Sequence, residues 1–285
     1  MAKKTKPQPI LVLGSTGKTG RRLVPLLRAR GAEVRAAGRT SSTRFDWDDE
    51  TTWEPALAGA GAVYVVDQQD KPGTWDAEAT LERFYACATA VGVRRAVVLQ
   101  ARPSGLIGGK DLHAGETAVR ESGLEWTILR PSWFNQNFDE GVLRENVVEG
   151  RLPLPAGDGA EAFIDVADVA EVAAIALTED GHAGRVYDLS GAEALTFAQA
   201  VAVIGADLGR EVEYVPVSQE DYEADLVEFG VPADYAHFIG DLVGCIRLGT
   251  SGDVTDAFQR VTGRPPVAFA DFVKDAASRG AWNPA

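Results

Sequence analysis

Three glycines spaced three apart, in Gly14-Ser15-Thr16-Gly17-Lys18-Thr19-Gly20, are the residues of this chain with the clearest chemical use. Between a strand and a helix, such spacing makes an anion site. Gly14 allows the tight turn off the strand, Gly17 lets bare backbone approach a pyrophosphate, and Gly20 lets the helix pack closely. The helix start then presents free N–H groups and a positive dipole end to the phosphates. A glycine triplet alone is a weak signal. Here the apolar run Ile10-Leu11-Val12-Leu13 precedes it and a helical pattern with Leu23, Val24, Leu26 and Leu27 follows, so the expectation is a dinucleotide-binding loop.

Cofactor choice is read from the end of the second strand. NAD enzymes usually place Asp or Glu about 20 residues beyond the loop, to bond the ribose 2′-hydroxyl. This chain has Gly38-Arg39-Thr40-Ser41-Ser42 there. Arg39 can pair bidentately with a 2′-phosphate and the hydroxyls can add hydrogen bonds; the alternative is an ordinary solvated arginine. NADP(H) is the expected cofactor.

The balance of 28 basic against 42 acidic residues, net −14, argues against nucleic acid and anionic membranes as partners. A small-molecule substrate is the expected partner, with the chain a monomer or homodimer. On so acidic a protein, basic residues near the glycine loop gain weight as phosphate ligands. No apolar run approaches the ~18 residues of a membrane span, and the first residues lack the apolar core of a secretory signal, so the expected location is cytoplasmic. Cys87 and Cys245, each in a helix-like stretch, read as buried free thiols, with a disulfide or a reactive thiol as the alternatives. His113, His182 and His237 are isolated in sequence, and no Cys-x-x-Cys or His-x-x-x-His spacing signals a metal.

Stepping outward from the loop, short apolar runs at 10–13, 33–37, 43–45, 62–66, 96–99 and 126–129 alternate with helical patterns. That alternation predicts an α/β fold: a Rossmann-type, doubly wound parallel sheet with helices on both faces. Pro25 should bend the first helix. After Arg130-Pro131 the pattern changes. Residues 150–159, rich in Gly and Pro, read as a loop; 166–177 reads as a helix and 186–189 as a strand. Helices dominate from Leu195, at about 197–208, 219–229, 233–248, 253–262 and 268–279, with a strand at 212–217. The expected division is residues 1–190 as the NADP-binding domain, with 131–160 contributing to the substrate cleft, and 191–285 as a smaller, mainly helical substrate-binding lobe.

The glycine spacing, the Gly38-Arg39 pair and Ser122-Gly123-Leu124-Glu125-Trp126-Thr127-Ile128-Leu129-Arg130-Pro131 together resemble the NmrA-like atypical short-chain dehydrogenases. A closer resemblance is to bacterial relatives of the ergot-alkaloid (agroclavine and festuclavine) dehydrogenases. It rests on Phe45-Asp46-Trp47, Ala62-Val63-Tyr64-Val65-Val66, Arg130-Pro131-Ser132-Trp133-Phe134 with Asn137-Phe138, and Thr262-Gly263-Arg264-Pro265-Pro266. The resemblance implies that Asp46 and Trp47 line the adenine pocket, that Val66 and Asp67 lie along the nicotinamide half, and that Pro131 to Phe134 wall the nicotinamide ring. For Trp133, Phe134 and Phe138 the alternative is plain core packing; for Asp46, a turn role.

The same resemblance exposes an absence. Ordinary short-chain dehydrogenases use a Tyr-x-x-x-Lys pair, in which the lysine lowers the tyrosine pKa and the phenol protonates the carbonyl oxygen as hydride arrives. Extended members carry a glutamate four residues after the lysine. With Glu116 as that glutamate, Leu112 stands at the lysine position and Gly108 at the tyrosine position. Gln100-Ala101 stands where a catalytic serine is common, which puts Gln100 against both cofactor and substrate. No catalytic side chain is identified. Either the protein does no chemistry and senses NADP(H), or its acceptor needs no proton during hydride transfer. An iminium carbon meets that condition; a quinone or conjugated enone can take its proton later. A plain ketone would leave an unsupported alkoxide in a dry site. The resemblance independently implies iminium reduction. His113, Asp67, Trp133, Phe134 and Tyr235 are the remaining substrate-contact candidates. Surface or packing roles compete for His113, solvation for Asp67, and core packing for Tyr235 with its helical neighbour Phe238.

Overall fold

The computed structural model describes residues 8–68, 75–102, 106–107, 110–111 and 113–283. In chain order, the first part comprises β1 (Ile10–Val12), α1 (Gly20–Ala29), β2 (Val34–Gly38), β3 (Thr43–Arg44), α2 (Trp53–Leu57), β4 (Ala62–Val66), α3 (Ala77–Ala90), β5 (Arg95–Leu99), β6 (Leu106–Ile107), β7 (Lys110–Asp111), α4 (Ala114–Glu121) and β8 (Glu125–Pro131). Then come α5 (Arg144–Glu149), β9 (Arg151–Leu154), β10 (Ala160–Glu161), α6 (Val166–Thr178), β11 (Arg185–Leu189), β12 (Leu195–Thr196), α7 (Phe197–Leu208) and β13 (Glu213–Pro216). Finally α8 (Gln219–Glu228), α9 (Ala233–Arg247), α10 (Ala257–Thr262) and α11 (Phe269–Ser278) complete the chain.

Seven strands form one sheet in the order β11-β8-β5-β4-β1-β2-β3, and every pairing in it is parallel. This is the doubly wound α/β sheet expected. Parallel strands buried on both faces read as continuous apolar runs, and β1 and β4 do so in Ile10-Leu11-Val12 and Ala62-Val63-Tyr64-Val65. One face packs Trp53, Leu57, Phe84 and Val119 from α2, α3 and α4. The other packs Leu23 and Leu27 of α1 against Val169 and Ala173 of α6. α1 continues through Pro25. Strand order reverses between β1 and β4, so the crevice beyond their carboxyl ends is the switch point where such sheets bind ligands.

A third core lies apart from the sheet, with Phe138, Leu152, Leu154, Phe163, Phe197, Val243 and Phe272 among its buried members. Residues 138–163 thus pack with α7, α9 and α11. α10 returns to the sheet, burying Ala257 and Phe258 beside α6. Two readings change. Residues 150–159 include β9, which pairs in parallel with β13 from Arg151↔Glu213 to Leu154↔Pro216. Leu152 and Leu154 point into the third core while Arg151 stays exposed, a period of two that Pro153 and the flanking glycines hide. A two-stranded ribbon tolerates that proline because its edge needs no donor. The thiols of Cys87 and Cys245 are free, as expected, but half-buried rather than buried. Among the described residues, no helix is long and apolar enough to cross a membrane.

Candidate cofactor and substrate site

β1, paired on both sides, delivers the chain into the glycine loop. Gly14 turns with φ +60°, a conformation that favours glycine. A Cβ on Gly20 would collide with the Gly14 carbonyl oxygen and stand 2.8 Å from Ser15 Cα. The loop's own backbone, rather than the sheet, therefore demands glycine at that position. Ser15 is buried, and its amide and hydroxyl both donate to the Ala37 carbonyl, at 3.2 and 3.0 Å, tying the loop to β2. Thr16 and Gly17 are exposed, whereas Thr19 and Gly20 are buried. The amides of Thr16 and Thr19 make no hydrogen bond among the described residues.

No side chain caps the start of α1, and its first turn holds Arg21 and Arg22 with no acid. Cations at the positive end of a helix are unfavourable unless an anion lies nearby. An uncapped helix start, bare amides and a loop with no room for a Gly20 side chain fit a diphosphate. The segment after β8 closes over one side: Lys18 Nζ donates to Asn137 Oδ1 at 2.9 Å. Arg21 and Arg22 both pair with Glu140, Arg22 at 3.0 Å.

At the end of β2, Arg39 is exposed and has no hydrogen bond or ion pair among the described residues, whereas nearby Arg44 is paired with Asp49 at 3.1 Å. Arg39, with the exposed Thr40 beside it, fits a 2′-phosphate. Asp46 organises a turn: its carboxylate accepts from the Asp48 amide at 3.2 Å and its carbonyl from the Trp53 indole at 2.9 Å. The Trp47 indole donates to the Val66 carbonyl at 3.0 Å. Its ring lies edge-on among Phe45, Trp53, Trp75 and Phe84, with centroids 4.9 to 5.9 Å apart. Both residues are thus bound into local structure at the rim of the crevice.

At the other end of the crevice, Gln100 is buried and donates its amide to Asp67 Oδ2 at 3.1 Å, joining the ends of β4 and β5. His113, just before α4, lies with Nε2 2.8 Å from the Ala101 carbonyl. A carbonyl can only accept, so that nitrogen carries the proton. The other ring nitrogen faces Glu116 at 4.0 Å. Glu116 itself is buried and held by Arg130 at 2.7 and 2.6 Å and by Arg120 at 3.1 Å. Burial alone would raise its pKa, but Arg130 and Arg120 hold it below the ordinary value. Its role here is to bind α4 to β8.

Pro131 ends β8 and is buried. Trp133 is half-buried, edge-on to Phe197 at 6.1 Å, and Phe134 bridges to Ile164 and packs, as Val66 and Leu99 do, against the core shared by α1 and α6. Tyr235 stacks on Phe238, centroids 5.8 Å apart at 16°, in a small cluster with Ala101, Ile107 and Cys245. The fold therefore gathers Asp67, Gln100, His113 and Tyr235 around the segment that follows β5. Gly108 and Leu112, expected at the tyrosine and lysine positions, lie outside the described residues.

Two groupings were not legible in the sequence. Glu161 and Ser251, far apart along the chain, meet in a buried hydrogen bond of 2.7 Å. His237, isolated in sequence, meets Glu223 through Nδ1 at 3.2 Å and Asp241 through Nε2 at 3.6 Å. These three could offer metal ligands within 4.8 Å of one another, yet two different carboxylates already engage the two ring nitrogens. Local spacing shows only the His237–Asp241 pair, four apart on α9; Glu223 and the Glu161–Ser251 contact come from separate elements.

A strand–glycine loop–helix unit at the switch point of a parallel sheet defines a nucleotide-binding α/β protein. Residues 14–180 match the family model described as NAD(P)H-binding. The chain is 36% identical to the uncharacterized oxidoreductase YesF of Bacillus subtilis, covering 94% of each chain. It is 31% identical to agroclavine dehydrogenase of Claviceps fusiformis, covering 96% of this chain and 98% of that one. In fold it resembles the NADPH-dependent quinone oxidoreductase QOR2 of Escherichia coli, with a TM-score of 0.80, 24% identity, and coverage of 93% of this chain and 99% of that one. The chain belongs to the NAD(P)H-binding family and is an NAD(P)-dependent oxidoreductase.

Proposed function

We propose that this protein is an NADPH-dependent reductase delivering hydride to an iminium or similarly activated C=N or C=C bond of a small, partly aromatic molecule. In this reading residues 14–20 hold the diphosphate, Arg39 holds the 2′-phosphate, and Asp46 and Trp47 border the adenine. Val66, Asp67, Gln100, Pro131, Trp133 and Phe134 border the nicotinamide, which supplies the hydride when bound. His113 and Tyr235 flank the substrate, residues 191–285 form most of the substrate lobe, and 131–160 join them at the cleft.

The observation that carries the reading is the engagement of the polar groups at the end of β5. Gln100 gives its amide to Asp67, and His113 gives its Nε2 proton to the Ala101 carbonyl. Neither is poised as an acid for a developing alkoxide, and Gly108 and Leu112 supply no phenol or ammonium. An acceptor already bearing positive charge needs no such acid, and the Asp67 carboxylate favours a cation by Coulomb attraction. Trp133, Tyr235 and Phe238 provide apolar walls for an aromatic body. The relatedness to agroclavine dehydrogenase supports an alkaloid-like acceptor.

The test follows NADPH absorbance with purified protein against cyclic iminium salts, quinones and simple ketones. Turnover of the iminium compounds is expected. Turnover of quinones alone would move the assignment to a quinone reductase. NADPH binding with no turnover of any acceptor would refute the reductase reading in favour of a redox sensor.

A further inference from the structure

The cations around the glycine loop meet a carboxylate from far along the chain. Arg21 and Arg22 stand in the first turn of α1, which carries no acid of its own. Glu140, 119 residues beyond Arg21, pairs with both of them. Arg22 Nη1 lies 3.0 Å from Glu140 Oε1 and donates to the Lys18 carbonyl, also at 3.0 Å. One guanidinium nitrogen therefore joins this carboxylate to the backbone of the glycine loop. Lys18 Nζ turns to the same segment, donating to Asn137 Oδ1 at 2.9 Å. The seating is close: a Cβ on Gly141 would stand 2.9 Å from Lys18 Nζ and 2.7 Å from Asn137 Cα.

The residues between Asn137 and Glu140 fix the segment from its other side. Phe138 is fully buried, with its ring 5.2 to 6.0 Å from those of Phe163, Phe269 and Phe197. Its carbonyl accepts from the Trp282 indole at 2.7 Å, and Asp139 pairs with Arg279 at 3.2 Å. The third core thus holds the backbone of Glu140 against the start of α1.

We infer that Glu140 is an internal counter-anion of the diphosphate site, a residue that limits cofactor affinity and speeds the departure of NADP⁺. This rests on the reading that residues 14–20 hold the diphosphate, and it adds a residue that sets how tightly they do so. Carboxylate and diphosphate compete for the same two guanidinium groups at the positive end of one helix. The anchored segment keeps the carboxylate close to the loop, where it opposes the incoming anion. Like charges several ångströms apart near a protein surface repel strongly enough to change an affinity by about tenfold. A reductase must exchange its cofactor at every turnover, and product release limits many enzymes. A carboxylate among these cations therefore serves release at the expense of binding.

Calorimetry with NADPH and stopped-flow release of NADP⁺ compare the native protein with Glu140→Gln, Glu140→Ala and Glu140→Asp. Both uncharged variants should bind NADPH about tenfold more tightly and release NADP⁺ correspondingly more slowly. Aspartate, which keeps the charge, should bring both values back towards native. The gain should shrink in about 0.5 M salt, where the charges are screened, a dependence that loosened packing alone does not produce. Unchanged or weaker NADPH binding in the uncharged variants, or a gain indifferent to salt, overturns the assignment of Glu140 while the reading of the glycine loop stands. No heat of NADPH binding to the native protein overturns both.

Discussion

Replacing Glu161 by glutamine changes how folding stability responds to pH, by an amount set by its burial. In the folded chain the carboxyl is pushed from an ordinary 4.5 up to about 7, chiefly because burial disfavours its charge. In the unfolded chain it titrates at the ordinary value. Between those two pH values the folded state keeps a proton that the unfolded state has released, so stability falls as pH rises through the window. The group's favourable contribution is whole below 4.5 and has gone above about 7. A displacement of about 2.5 in pKa corresponds to about 3 kcal/mol. Glutamine is nearly isosteric, can still accept from Ser251, and has no charge to bury. Urea unfolding at about pH 5 and about pH 8.5 should therefore show the variant gaining about 2 to 3 kcal/mol on the native protein between the two conditions. A stability difference that stays constant across this range would refute the reasoning, since it would mean that the carboxyl is no harder to ionise in the fold than in the open chain.

Gly20→Ala must move backbone, because the new Cβ meets the Gly14 carbonyl and Ser15 Cα rather than a flexible side chain; calorimetry should show NADPH affinity reduced by roughly tenfold or more, and thermal unfolding a loss of about 1 to 3 kcal/mol. Arg39→Asp should weaken NADPH binding by about 2 to 3 kcal/mol, the scale of a hydrogen bond to a charged group, and leave NADH binding nearly unchanged; equal effects on both coenzymes would remove Arg39 from the phosphate site. Glu116→Gln breaks the buried pairing with Arg130 and Arg120 and should cost about 3 kcal/mol at neutral pH, measured by urea unfolding. Because Arg130 and Arg120 hold the Glu116 pKa below its ordinary value, that difference should be whole above the ordinary glutamate range and shrink as pH falls through the lowered value.

Much of the fold was legible from period and punctuation. The strands at 10–12, 62–66 and 95–99 announced themselves as apolar runs, and the helix expected at 197–208 has those bounds, its start closed by a capping box between Thr196 and Gln199. The ribbon of β9 with β13 was hidden because Pro153 and its glycine neighbours carry the composition of a loop. Its strand character comes from Leu152 and Leu154 finding a core built by distant helices. The glycine loop was legible because its chemistry is backbone chemistry: turn, close approach and helix start are all local. The packing of Trp47 was not, since an indole joins Phe45, Trp53, Trp75 and Phe84 only where its own segment meets α2 and α3.

By itself the sequence determined the parallel α/β sheet and the glycine-rich turn between its first strand and first helix. Each of those is a property of residue type at a fixed local spacing. Only the tertiary structure decided that His113 directs its Nε2 proton to Ala101, that Gln100 is tied to Asp67, and that Glu161 meets Ser251. Protonation and hydrogen bonding depend on burial and on neighbours brought from afar, and those exist only once the chain has closed around them.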